Sequence, residues 1–270
     1  IDYSTVPSGA NLLYKNAFLR NDEERRRAYL DLLAKGETKI NSSVLFPHDI
    51  VHKYSQNRGW RQSVGSYDTA LEEMWKALPD VEGLENTIVV ADGSGSMTIQ
   101  IDPNSRTSAL EVANAMAIYC AEHCKGEFKD KYITFSQRPQ FVDFTRVNAT
   151  SLHDKLAYAY KYDECANTNV EAVFDIILDT AVNSGAKQDE IPSTILIISD
   201  MEFDSCARTN GGDRGGYYRG ARPDDALFAQ IAKKYENEGY KLPRLVFWNV
   251  NSRTGTIPVK ENELGVTLVS

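Results

Sequence analysis

Four short apolar runs that alternate with helical patterns constrain the fold of this chain more than any other feature. The runs are TIVVA at 87–91, KYITFS at 131–136, STILIIS at 193–199 and RLVFWNV at 244–250. Short runs of this composition, bounded by turn residues, predict β-strands. Helical patterns lie between them, so we predict an α/β fold with a mostly parallel central sheet and helices on both faces.

Two further runs are assigned to the edges of this sheet. QFVDF, at 140–144, follows KYITFS closely enough to form a hairpin, which predicts one antiparallel edge. GVTLVS predicts a final strand over Val266–Val269 with no helix after it. We therefore expect the domain to be truncated at its C-terminus.

The first 80 residues have a polar, helical pattern, which predicts a helical extension ahead of an α/β domain at 81–270. NDEERRRAYLDLLAKG has Asn21 or Asp22 as a cap, acids before bases, and Gly36 at its end. FPHDIVHKYSQ predicts a helix that begins at Pro47. YDTALEEMWKAL carries apolar residues at helical spacing. We expect the extension to pack against the domain.

Composition narrows the class of protein. A formal charge of −8 argues against a surface built mainly to neutralise phosphates. The four cysteines do not form a disulfide framework, because Cys120 and Cys124 share one helical pattern, where buried thiols are expected. We expect a reducing, cytoplasmic compartment. No apolar run approaches the ~20 residues that span a membrane.

Oxygen-bearing side chains lie where the predicted strands end. TIVVA leads to Asp92, Ser94 and Ser96, STILIIS leads to Asp200, and Thr168 precedes a predicted helix. Ligands of an open α/β sheet bind at the carboxyl ends of its strands. Carboxylate and hydroxyl oxygens without His or Cys are the ligands of Mg²⁺, Mn²⁺ or Ca²⁺, and not of Zn²⁺. The pattern therefore indicates a divalent-cation site.

The alternative of a phosphate-binding loop fits the stretch GSGSMT less well. A P-loop needs a lysine after its second glycine, and a dinucleotide-binding turn needs a third glycine. Gly93 and Gly95 are expected to let the backbone turn tightly around an ion. Taken one at a time, the serines are also typical of turns and helix caps.

The D-x-S-x-S pattern at 92–96, with the later Thr168 and Asp200, resembles the metal-ion-dependent adhesion site (MIDAS) of von Willebrand factor A domains. The phrases ADGSGSM, TNVEAVFDIIL and ISDMEFD are similar to the variant in Ro (TROVE) ribonucleoprotein autoantigens and in a related bacterial and plant family of unassigned function. The resemblance covers 67–270. VPSGANLLYKNAF and LFPHDIV look like the segment that precedes the domain in the unassigned family.

This resemblance implies a Rossmann-like von Willebrand factor A fold that binds and does not catalyse. It implies that Ser94, Ser96 and Thr168 supply hydroxyl ligands to Mg²⁺, with Mn²⁺ or Ca²⁺ as substitutes, while Asp92 and Asp200 bind directly or through metal waters. Neutral hydroxyl ligands leave the ion electrophilic. The remaining position then accepts an Asp or Glu of a partner protein.

Two other functions stay open. The Gly/Arg-rich stretch RTNGGDRGGYYRGARPD, at 208–224, has the composition to stack on and neutralise single-stranded RNA, as in the scaffold of a Ro-like ribonucleoprotein. Ro-type proteins bind RNA chiefly through a helical-repeat ring, of which only a short remnant would stand here. Metal-dependent hydrolysis would need a base beside the ion, for which Glu202 is the candidate.

Overall fold

Helices and strands alternate along the computed structural model, which describes residues 1–58, 61–162, 169–200, 225–250 and 266–269. The helices are Ser8–Asn21 (α1), Glu23–Ala34 (α2), Pro47–Tyr54 (α3), Thr69–Lys76 (α4), Ala109–His123 (α5), Leu152–Ala159 (α6), Val170–Ser184 (α7) and Asp225–Asn237 (α8). The strands are Ser55–Arg58 (β1), Arg61–Val64 (β2), Thr87–Ala91 (β3), Lys131–Thr134 (β4), Phe141–Asp143 (β5), Thr194–Ser199 (β6), Arg244–Asn249 (β7) and Val266–Val269 (β8).

Six strands form the central sheet in the order β5-β4-β3-β6-β7-β8. Every neighbouring pair is parallel except β4 and β5, which are antiparallel. The predicted parallel sheet, its antiparallel edge and its final strand are therefore confirmed. The chain goes from β3 to β4 on one side and later returns to β6 on the other side of β3. This reversal is a topological switch point, where α/β proteins place their ligand sites.

The side chains of β3 alternate between two hydrophobic cores, because successive residues of a strand point to opposite faces of the sheet. Ile88 and Val90 belong to the core that includes residues of α7 and α8. Val89 and Ala91 belong to the core that includes residues of α5 and of the N-terminal helices. Helices therefore cover both faces, which explains why the four residues after Thr87 in this strand are all apolar.

The N-terminal helices pack against the sheet domain, as the sequence predicts. Besides sharing a core, the two parts are joined by hydrogen bonds of buried and half-buried side chains. Trp75 Nε1 donates to Glu122 at 2.8 Å. The carboxylate of Glu72 accepts the backbone N–H groups of Leu152 at 2.9 Å and His153 at 3.0 Å, so it caps the N-terminus of α6.

The second helix of the predicted extension is shorter than its pattern indicates. α3 begins at Pro47 as predicted but ends at Tyr54, and Ser55 is extended. From Ser55 the chain forms an antiparallel hairpin of β1 and β2, which sequence analysis missed. The hairpin residues SQNR and RQSV are almost all polar, so they lack the alternation of apolar and polar residues that marks a half-buried strand.

Candidate metal centre

Two buried aspartates lie at the carboxyl edge of the sheet, beside the switch point. Asp92 follows β3 and Asp200 follows β6, and these two strands are parallel neighbours in which Ala91 pairs with Ile198. Asp92 is 6% exposed and Asp200 is fully buried. The backbone N–H of Asp92 donates to the carbonyl of Ile198 at 3.0 Å. The hydrogen bonds between β3 and β6 therefore continue as far as Asp92. The strand register thus brings together two carboxylates from distant parts of the sequence.

Both carboxylate oxygens of Asp92 accept a hydrogen bond from a neutral donor. Oδ1 accepts the backbone N–H of Ser94 at 2.9 Å, and Oδ2 accepts the hydroxyl of Ser199 at 2.6 Å. Burial raises the pKa of Asp92, these two hydrogen bonds oppose that rise, and the negative charge of Asp200 adds to it. Asp92 is therefore a desolvated acid beside a second acid, an arrangement that a bound cation would stabilise.

The hydroxyl groups of Ser94 and Ser96 lie together in the turn that follows Asp92. Their Oγ atoms are 2.9 Å apart. Met97, in the same 3₁₀ turn, is fully buried in the hydrophobic core and fixes the turn to it. Both serines stay half-buried. Neither glycine of the turn has a positive φ, and a Cβ at Gly95 would meet no atom within 4 Å. Position 95 therefore does not require glycine, either for its backbone conformation or for space.

Thr168 lies outside the described residues, as do Glu202 and the stretch at 208–224. The residue that follows Thr168 is described. Asn169 donates its backbone N–H to the carbonyl of Ser136 at 3.2 Å and caps α7 by accepting the N–H of Ala172 at 3.0 Å. Because Phe135 donates to the carbonyl of Ala91, the start of α7 lies at the same edge of the sheet as Asp92.

Ser199 is a site residue that sequence reasoning missed. It is the last residue of β6, it is 1% exposed, and its hydroxyl contacts the carboxylate of Asp92 directly. A signal was available, because parallel pairing of β3 with β6 places the residue before Asp200 next to Asp92. The metal-site pattern alone does not include this position.

The donor set at this edge fits a hard cation. Carboxylate and hydroxyl oxygens of Asp92, Ser94 and Ser96 converge, with Asp200 alongside, and such oxygens are ligands for Mg²⁺, Mn²⁺ and Ca²⁺. Across the part of the chain that the structure describes, no group of three or more His, Cys, Asp or Glu side chains is placed to hold a metal ion. Two of the four side chains at this edge are serine hydroxyls, so they do not form a group of that kind.

The helical cysteines are core residues, as predicted. Cys120 and Cys124 are buried free thiols, and burial raises the pKa of Cys120 to about 12 and that of Cys124 to about 11. The nearby His123 is bound to the carbonyl of Tyr119 and to Asp80. Within the described ranges, no helix is long and apolar enough to cross a membrane.

The fold and its oxygen-lined edge define a protein of the Rossmann-like α/β class with an N-terminal helical extension. Residues 86–270 match the family described as Domain of unknown function (DUF7788). The chain therefore belongs to this family. Residues 1–86 match a second family, Domain of unknown function (DUF2828).

One curated relative and one solved structure resemble the whole chain. An uncharacterized protein of Acanthamoeba polyphaga mimivirus is 29% identical over 284 aligned residues, which include 100% of this chain and 45% of that protein. The crystal structure of the Deinococcus radiodurans Ro (RSR) protein has a TM-score of 0.51 at 16% identity, over 98% of this chain and 50% of that one. The chain spans about half the length of each. The predicted Ro-like relationship is thus confirmed at the level of the fold.

Proposed function

We propose that this chain is a divalent-cation-dependent binding module of the von Willebrand factor A type. Mg²⁺, or Mn²⁺ or Ca²⁺ in its place, would be held by Asp92, Ser94, Ser96, Thr168 and Asp200, and a carboxylate of a partner protein would complete its shell. The supporting observation is the buried carboxylate of Asp92, held by two neutral donors next to the paired hydroxyls of Ser94 and Ser96.

Electrostatics favours a cation at this edge. Two buried acids side by side repel each other, and taking negative charge out of water is costly. A divalent cation would neutralise the two negative charges. Since three of the five proposed ligands are neutral hydroxyls, the bound ion would keep enough positive charge to attract an outside Asp or Glu. We propose a protein partner for this reason, in a reducing, cytoplasmic compartment that suits the free thiols.

The proposal is tested by calorimetric titration of the whole chain with Mg²⁺ and Mn²⁺, with the melting temperature followed in parallel. We expect saturable binding that raises the melting temperature, and loss of both effects in Asp92→Ala.

Asp143→Ala is the matched control, because Asp143 is equally buried at 6% exposure and also accepts one backbone N–H and one hydroxyl. The control should bind the cation with unchanged affinity. An intact chain that binds neither cation, or an Asp143→Ala variant that loses binding as fully as Asp92→Ala, would contradict the proposal.

We propose that the module binds and does not catalyse. Hydrolysis would require a general base within reach of a metal-bound water. Glu202→Gln distinguishes the two functions, because it removes the candidate base while it keeps the size of the side chain. Cation binding should survive in this variant. A cation-dependent hydrolytic activity that the intact chain has and Glu202→Gln lacks would favour the enzyme.

An RNA-associated scaffold is the second candidate. The observation that favours it is the likeness of fold to the Ro (RSR) protein, which extends over 98% of this chain and so includes the N-terminal helices. Fluorescence anisotropy with a labelled single-stranded RNA, at two salt concentrations, tests this role. Binding that weakens with salt and persists in Asp92→Ala would favour the scaffold over the cation-dependent module.

A further inference from the structure

The hydroxyl of Ser199 is the donor that holds Oδ2 of Asp92. The two residues are 107 positions apart in sequence, and their contact of 2.6 Å depends entirely on the pairing of β3 with β6. This length is typical of a charge-assisted O–H···O⁻ hydrogen bond. Because Ser199 is 1% exposed, water does not compete for its hydroxyl.

Asp92 is consequently held at both oxygens. Ser94 N–H fixes Oδ1 from the following turn, and Ser199 fixes Oδ2 from the neighbouring strand. A rotation of the carboxylate about its Cβ–Cγ bond would break at least one of these hydrogen bonds. An ionised carboxylate has about four acceptor positions, so each oxygen of Asp92 keeps about one for a cation or its water.

A carboxylate that is held at both oxygens does not suit Ca²⁺ and Mg²⁺ equally well. Ca²⁺ accepts carboxylates through both oxygens at once and tolerates variable geometry, whereas Mg²⁺ requires near-octahedral geometry and retains several waters. A fixed carboxylate with one acceptor position on each oxygen matches contact through a single oxygen or through a metal-bound water. The hydroxyl of Ser199 keeps Asp92 from turning both oxygens toward a larger ion.

We infer that Ser199 is a positioning residue that makes the site prefer Mg²⁺ over Ca²⁺. This inference rests on the proposed function, because it concerns the same cation. It adds a residue that lies outside the D-x-S-x-S pattern and its later Thr and Asp, and it assigns that residue a measurable role in cation choice.

The test is calorimetric titration of the whole chain with Mg²⁺ and with Ca²⁺ separately, for the intact protein, Ser199→Ala and Ser199→Thr. Residues that orient a metal ligand typically contribute about 10- to 100-fold to metal affinity. In Ser199→Ala we expect Mg²⁺ affinity to fall by about 10-fold or more and Ca²⁺ affinity to fall less, so that the preference shrinks. Ser199→Thr keeps the hydroxyl and should restore the preference.

The matched control is Thr145→Ala, which removes a hydroxyl that donates to Asp143 at the same distance of 2.6 Å. It should leave both affinities unchanged. Melting in EDTA shows that each variant is folded before its affinities are compared. If the intact chain binds neither cation, the proposed function itself fails. If the intact chain binds and the ratio of the two affinities is unchanged in Ser199→Ala, or shifts equally in Thr145→Ala, the role of Ser199 is wrong and the proposed function stands.

Discussion

Asp92 and Asp143 have nearly the same burial and the same kinds of hydrogen-bond donor, but the charged groups beside them have opposite signs. Each is 6% exposed, each follows or ends a strand, and each accepts one backbone N–H and one hydroxyl at 2.6 Å. At Asp143 both of these donors bind Oδ1, and Oδ2 faces Arg146 at 3.4 Å and Lys131 at 3.9 Å. At Asp92 the donors occupy one oxygen each, and the charged neighbour is another acid, Asp200.

This difference indicates where the countercharge of each acid comes from. The protein itself supplies the positive charge at Asp143. Among the described residues, no Lys or Arg forms an ion pair with Asp92, whose donors are all neutral. A buried carboxylate without a cationic partner is costly in a folded protein. The proposed function assigns the countercharge of Asp92 to a cation from outside the chain, whereas Lys131 and Arg146 supply that of Asp143.

Glu72 is another buried carboxylate, and removing it gives the largest expected effect. Its oxygens accept the hydroxyl of Tyr54 at 2.7 Å and two N–H groups at the start of α6. Glu72→Ala would remove the shared acceptor of these three donors, so we expect a loss of about 3 kcal/mol of unfolding free energy, measured by urea denaturation. Cation affinity should not change.

The control for Glu72→Ala is Glu73→Ala, which removes the next residue in sequence and only a pair with Lys76 on the same helix. Its cost should stay under about 1 kcal/mol. If Glu72→Ala lost cation binding while its fold stayed intact, Glu72 would belong to the cation site. The comparison of Asp92 with Asp143 would then have left out one acid of that site.

The isosteric variants Asp92→Asn and Asp143→Asn test the comparison directly, because their effects on stability should differ in sign. Asp143→Asn removes a charge that is paired with Lys131 and Arg146 and should cost about 1–2 kcal/mol. Asp92→Asn removes an uncompensated charge, so the metal-free protein should keep its stability or gain up to about 1 kcal/mol. Urea denaturation in EDTA measures both. Equal destabilisation would mean that the charges around the two acids do not matter.

The pH dependence of stability sharpens the same contrast. Because burial raises the pKa of Asp92 above its usual 3.8, the protonated form is favoured in the folded state. Its contribution to stability is complete below pH 3.8 and is lost as the pH rises through the raised pKa of the folded state. In EDTA, the stability of Asp92→Asn relative to the intact chain should therefore increase with pH over this window. A difference that is constant with pH would contradict the assigned cause.

The smallest effect is expected for Arg146→Ala. The Arg146 side chain is 79% exposed, and exposed ion pairs contribute roughly 0–1 kcal/mol. Lys131, at 18% exposure, is the more enclosed cation beside Asp143, so Lys131→Ala should cost more than Arg146→Ala. The two variants, compared by thermal denaturation, rank the cations that compensate Asp143. A larger loss in Arg146→Ala would reverse that ranking.

Sequence patterns determined the elements whose causes are local. The runs of apolar residues predicted β3, β6 and β7, because a strand that is covered on both faces is apolar along nearly its whole length. The capping box of Ser108 and Glu111 marks the start of α5. Asp92 and Asp200 follow their strands directly, so their place at the carboxyl edge required only the prediction of a parallel sheet. The hairpin of β1 and β2 was missed because its polar residues carry no such pattern.

Tertiary structure alone decided which distant groups meet. Ser199 reaches Asp92 because β3 and β6 pair in one particular register, and Glu72 caps α6 because the N-terminal helices pack on one particular face of the sheet. The contact of Lys131 with Asp143 likewise depends on how β4 pairs with β5. Each of these contacts is a property of two segments at once, and the free energy that holds it comes from the packing of the whole core. Local sequence determined the oxygen atoms of the candidate site, and the fold determined their orientation and their charge balance.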